Sequence, residues 1–124
     1  MTQACLWNQK LILWKTRSVR LIWTALIIIE SLLPNTGTSV AWIPRLGASD
    51  GVLHFAAYAA LAVVGPPGPR SRGVWASRWL SLVVLGLVLE YMQRLIPGRA
   101  YQWSDVIANA AGAGFGGLVA GALE

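Results

Sequence analysis

The sequence predicts an all-α integral membrane protein, a single domain over residues 1–124 in which four transmembrane helices form a bundle. Two observations lead there. Hydrophobic residues make up 56% of the chain and charged residues 12%, the latter about half the share of an ordinary globular domain and too few to cover a water-facing surface. The apolar residues also gather into four runs close to the roughly 20 residues that cross a bilayer as helix, and Pro and Gly, which end helices, lie between them.

The first run, 19–34, reads "VRLIWTALIIIESLLP" and follows Lys10, Lys15, Arg17 and Arg20. It is short for a bilayer, so the Arg20 stem is expected to snorkel, and Pro34-Asn35-Thr36-Gly37 supplies the turn that ends it. A basic region, an apolar core and "SVA" before Trp42 also imitate a cleavable leader. The basic region is long and Glu30 interrupts the core, which favours a retained first span. The second run, 48–65, stops at "PPGPRSRG"; the third, 74–96, is closed by Pro97-Gly98. The fourth, 103–123, opens with Ser104 and Asp105, oxygen-bearing side chains of the kind a helix N-terminus prefers.

Charge supplies the orientation, because Lys and Arg accumulate on the cytoplasmic side. With the N-terminus inside, Lys10, Lys15, Arg17, Arg20, Arg70, Arg72 and Arg78 are cytoplasmic, and Arg45, Arg94 and Arg99 are external. Both termini are then cytoplasmic. A net charge of +5 distributed over short flanks is no contiguous nucleic-acid footprint. The single Cys5 excludes an internal disulfide framework and a cysteine-based zinc site. Trp14, Trp42, Trp75 and Trp103 fall near span ends, where indole rings suit the interface.

The polar residues inside this frame are spaced by helix geometry. Asp50, His54 and Tyr58 recur every four residues, Glu90 and Gln93 are three apart, and Asp105 and Asn109 are four apart, so each set shares a face. On the fourth span that face continues through Gly112 and Gly116, a spacing that lets helix backbones approach closely in lipid. The orientation brings all three faces, with Arg99 in the connecting loop and Glu30 late in the first span, to one external membrane level. Ionisable groups there are costly and usually functional. A purely structural reading, in which Arg99 pairs with Asp105 or His54 with Asp50, stays open. His54 with Asp50, Glu90 and Asp105 could hold a cation largely through oxygen ligands, but no known metal-ligand spacing and no cofactor motif appears, so neither a metal nor a cofactor is expected. Ser104 lacks a nucleophile-elbow context and reads as a cap.

These residues resemble the VanZ-like membrane proteins. The resemblance rests on "DGVLHFAAY" (Asp50, His54, Tyr58), "EYMQRLIPGR" (Glu90, Gln93, Arg99) and "SDVIANAAGAGFG" (Asp105, Asn109, Gly112, Gly116). It covers residues 20–122 and draws its specificity from the set. Gly51 departs from it where many members look like Asp-Lys. The resemblance implies a small multi-pass bacterial membrane protein, the best-known member being linked to resistance against the glycopeptide teicoplanin. It implies no settled reaction.

The expectation is an outward-facing pocket that recognises an anionic or polar envelope component, such as a lipid head group, a lipid-linked cell-wall precursor or a glycopeptide. Asp50, His54, Glu90 and Asp105 would handle protons or hydrogen bonds, as catalytic groups if the protein is an enzyme. Tyr58, Gln93, Arg99 and Asn109 would bind ligand, with Arg99 on an anionic group. A membrane hydrolase or transferase using His54 and the carboxylates is the main alternative. A structural subunit that assembles through its glycine face, as an oligomer or with a membrane partner, is another.

Overall fold

The computed structural model describes residues 3–34, 50–65 and 71–123, which form four helices: α1 (Gln3–Leu32), α2 (Asp50–Val63), α3 (Arg72–Gln93) and α4 (Trp103–Leu123). Arg45, Arg70, Trp42, the loop 35–47 and the first two residues of the expected second span lie outside the described residues.

The chain is all-helical, with boundaries that depart from the four apolar runs. α1 is not confined to 19–34. It starts at Gln3, so the basic flank is itself helical and the whole element is 30 residues long, about 45 Å. It stops at Leu32, two residues before Pro34, because the residue preceding a proline is pushed out of the α region. α2 has 14 residues, about 21 Å, shorter than the run 48–65. α3 begins two residues earlier than 74–96, where the Ser71 side chain accepts a hydrogen bond from the Val74 N–H at 3.3 Å. It also ends three residues earlier. Leu95 and Ile96 donate to the carbonyls of Met92 and Gln93 at 3.0 and 3.1 Å, a tightening common at helix ends. Gly98 then turns the chain at φ 80°. α4 begins and ends as expected.

Glycine sets the closest packing. A Cβ on Gly112 would collide with the Phe55 carbonyl, and one on Gly116 with the Ala59 carbonyl. Both positions advance by four, so α2 and α4 run parallel with their backbones in contact. α3 runs antiparallel to α4. Gly86 faces Asn109, the Trp79 ring lies by Gly114, and that of Trp75 lies by Gly117. Indole donors tie the layers together, Trp23 Nε1 to the Ala57 carbonyl and Trp79 Nε1 to the Ala110 carbonyl, each at 3.0 Å. Trp75 and Trp79 stack with centroids 6.4 Å apart, so Trp75 packs on a neighbour's ring as well as standing near a helix end. Trp14 and Trp103 are exposed.

Among the described residues Glu90, Gln93, Asp105 and Asn109 are buried alongside Tyr58, Leu61, Leu89 and Ala113, while Leu21, Ile22, Val84, Leu95, Ile107, Phe115 and Leu118 are among many large apolar side chains that are exposed. α3 and α4 are each long and apolar enough to cross a membrane.

Candidate functional site

The parallel α2–α4 pair and the antiparallel α3 bring three helix ends together: the first turns of α2 and α4 and the last turn of α3. α2 contributes His54 and, one turn further, Tyr58. α3 contributes Glu90 and Gln93, and α4 contributes Asp105 and Asn109. Glu90, Asn109 and Tyr58 are the largest fully buried side chains, while the His54 side chain keeps 20% of its surface open.

His54 is the centre of the arrangement. Its Nδ1 stands 3.0 Å from Asn109 Oδ1. A carboxamide oxygen only accepts, so Nδ1 donates, and the neutral ring therefore presents the Nε2 lone pair. Nε2 faces Glu90 Oε1 at 3.7 Å and Asp105 Oδ2 at 3.6 Å, beyond hydrogen-bond length to either. Among the described residues four buried side-chain polar atoms lack a hydrogen-bond partner: both Glu90 oxygens, the Tyr58 hydroxyl and Gln93 Nε2.

Of the expected catalytic set, His54, Glu90 and Asp105 converge, and Asp50 does not join them. It is the exposed first residue of α2, and among the described residues no hydrogen bond or ion pair joins it to His54. Of the expected ligand-binding set, Tyr58, Gln93 and Asn109 are buried around the cluster. Arg99 is directed elsewhere, since its Nε donates to the Leu33 carbonyl at 2.9 Å and its Nη2 to the Glu30 carbonyl at 2.8 Å. It therefore satisfies the terminal carbonyls of α1, which have no partner within the helix. The pairs imagined in the structural reading, Arg99 with Asp105 and His54 with Asp50, do not form among the described residues.

Two positioning residues carried no signal in the sequence. A Cβ at Gly86 would stand 2.9 Å from Asn109 Nδ2, so this glycine makes room for the side chain that orients His54. Trp79 holds α4 at Ala110, next to Asn109. Glycine is frequent in membrane helices and tryptophan near their ends, and neither residue sits at a telling spacing. Ser104 donates to Asp105 Oδ1 at 3.4 Å, a local contact at the start of α4.

Two surface grooves lie beside the cluster rather than over it. One, at the same end, runs along Tyr91, Arg94, Tyr101 and Trp103. The other, about 340 Å³ at the opposite end, is lined by Arg20, Thr24, Arg78 and Trp79 among others. Among the described residues of the cluster, the His54 side chain is the most exposed, at 20% against 7% for Asp105 and 1% for Glu90.

No family model, curated protein or solved structure matches the chain.

Proposed function

We propose that the chain is a multi-pass membrane bundle of four spans with both termini cytoplasmic, and that its buried cluster recognises a polar component of the cell envelope, a lipid head group or a lipid-linked cell-wall precursor. The exposed apolar surface supports lipid contact, as do α3 and α4. At 14 residues, α2 is shorter than the roughly 30 Å hydrocarbon core, so it crosses only with help from its flanks or from local thinning of the bilayer. Arg20 and Arg78 share one groove at the end opposite the cluster, in keeping with a basic cytoplasmic end. Kinship with the VanZ-like proteins, and any link to teicoplanin, belongs to the same proposal and rests on the motif set alone.

The observation that carries a functional rather than a structural reading is the lack of partners for the buried polar atoms of Glu90, Gln93 and Tyr58. Residues that served only to hold helices together would have satisfied one another, because an unpaired buried polar group is costly. The character of the cluster also narrows the ligand. Glu90 and Asp105 are acceptors when ionised, and Arg99 is engaged with α1, so hydroxyl or amine groups of an envelope component fit better than its anionic group.

The test is His54→Gln and Asp105→Asn, each near-isosteric, scored for expression, melting temperature and rescue of the envelope phenotype of a deletion strain. Folded but inactive variants support the site. Full rescue by both reduces the cluster to a structural element. Turnover of a lipid-linked precursor by the purified protein would move the reading from recognition to catalysis.

A further inference from the structure

We infer that His54, Glu90 and Asp105 form a binding site for one divalent metal ion of the zinc or manganese class, with Asn109 holding the His54 ring in the ligating tautomer. His54 Nε2 and one carboxylate oxygen each from Glu90 and Asp105 lie within 4.8 Å of one another. Two atoms bound about 2.1 Å from a shared zinc at the tetrahedral angle stand about 3.4 Å apart. The observed 3.6 and 3.7 Å from Nε2 to the two carboxylates need adjustments of only a few tenths of an ångström, and the two carboxylate oxygens, within 4.8 Å of each other, close by up to about 1.4 Å as their side chains turn onto the ion.

A proton fits the same gap poorly. An Nε2–H placed between the carboxylates reaches neither oxygen at hydrogen-bond length, and both Glu90 oxygens are buried without a partner. Among the described residues no Lys or Arg forms an ion pair with either carboxylate, so a divalent cation would compensate the charge that both carry as ligands, in a setting where uncompensated charge is costly.

The surroundings are those of a metal-bound histidine. Such a ring donates its other N–H to an oxygen acceptor, which fixes tautomer and orientation; here that acceptor is Asn109 Oδ1. One imidazole with two carboxylates favours zinc or manganese over calcium, and a set of three protein ligands leaves a coordination position for water or a ligand group.

The inference rests on the cluster being a site. Its test uses the full chain in detergent, with Cys5→Ala to remove the thiol, stripped with chelator and titrated with Zn²⁺ or Mn²⁺ alone. Calorimetry is expected to give one ion per chain and a higher melting temperature. Glu90→Gln and Asp105→Asn should each weaken binding at least tenfold, and Asn109→Leu about 10–100-fold. Because His54 is the one histidine of the chain, ¹⁵N spectra of labelled histidine report on the wild type directly even if a variant fails to fold. Zn²⁺ should shift Nε2 and leave Nδ1 protonated. Absence of heat, stabilisation and any Nε2 shift overturns the metal site, as does undiminished binding in Glu90→Gln. If the metal fails while folded His54→Gln is still inactive, recognition through the cluster stands without a metal; if the metal binds and both variants rescue fully, the ion is structural and the recognition reading falls.

Discussion

Replacing Gly112 by alanine adds one methyl group at the place where α2 and α4 touch most closely. The new Cβ would stand 2.9 Å from both the carbonyl carbon and the Cα of Phe55, whereas carbon atoms settle at about 3.5–4.0 Å. The obstacle is backbone, so no side chain can rotate away, and α2 must retreat by about 0.6–1 Å to reach ordinary contact. A retreat of that size lengthens the 3.0 Å bond between His54 Nδ1 and Asn109 Oδ1 past the range in which it holds. Overpacking costs about 1–3 kcal/mol and the lost bond about 1 kcal/mol, so the variant should be about 2–4 kcal/mol less stable. Gly121→Ala is the control, since a Cβ there meets no atom within 4 Å and alanine favours a helix by up to about 1 kcal/mol. Unfolding of the detergent-solubilised chain, followed by circular dichroism across an SDS titration, measures both. Equal stability of the two variants, or a Gly112→Ala protein whose His54 Nδ1 resonance is unmoved, would refute the close contact and the route by which it positions the cluster.

Arg99→Met should release the last turn of α1 by removing two hydrogen bonds from its carbonyls. Hydrogen exchange at residues 29–33 is expected to quicken about tenfold, for a loss of roughly 1–2 kcal/mol, while the metal affinity of the cluster stays within a few-fold; unchanged exchange would remove the capping role. For topology, in a Cys5→Ser background a cysteine at Ala100 should react with an impermeant thiol reagent applied to spheroplasts, and one at Thr2 should react only after lysis; the reverse pattern would invert the bundle.

The sequence by itself determined the helical class, the approximate places where helices stop and the pairing of polar residues on shared faces. All of these follow from short-range causes. Proline at 34 and 97 denies the backbone a continued helix, apolar runs of membrane length favour one, and spacings of three and four place His54 with Tyr58, Glu90 with Gln93 and Asp105 with Asn109. Local spacing says which residues share a face, but it does not say which way the face turns. Asp50 has the same spacing to His54 as Tyr58 has, yet the first is exposed and the second buried, because α2 starts at Asp50 and packs against α4 from Phe55 onward. Arg99 looked like the cationic side of a pocket, but the tertiary structure brings the end of α1 within its reach, where unpartnered carbonyls hold it. The room that Gly86 leaves for Asn109 and the 3.6–3.7 Å gap between His54 and two carboxylates likewise depend on how the helices are rotated about their axes. That rotation is decided by the contacts of Gly112 and Gly116 with the α2 backbone, an interaction between segments far apart in the chain.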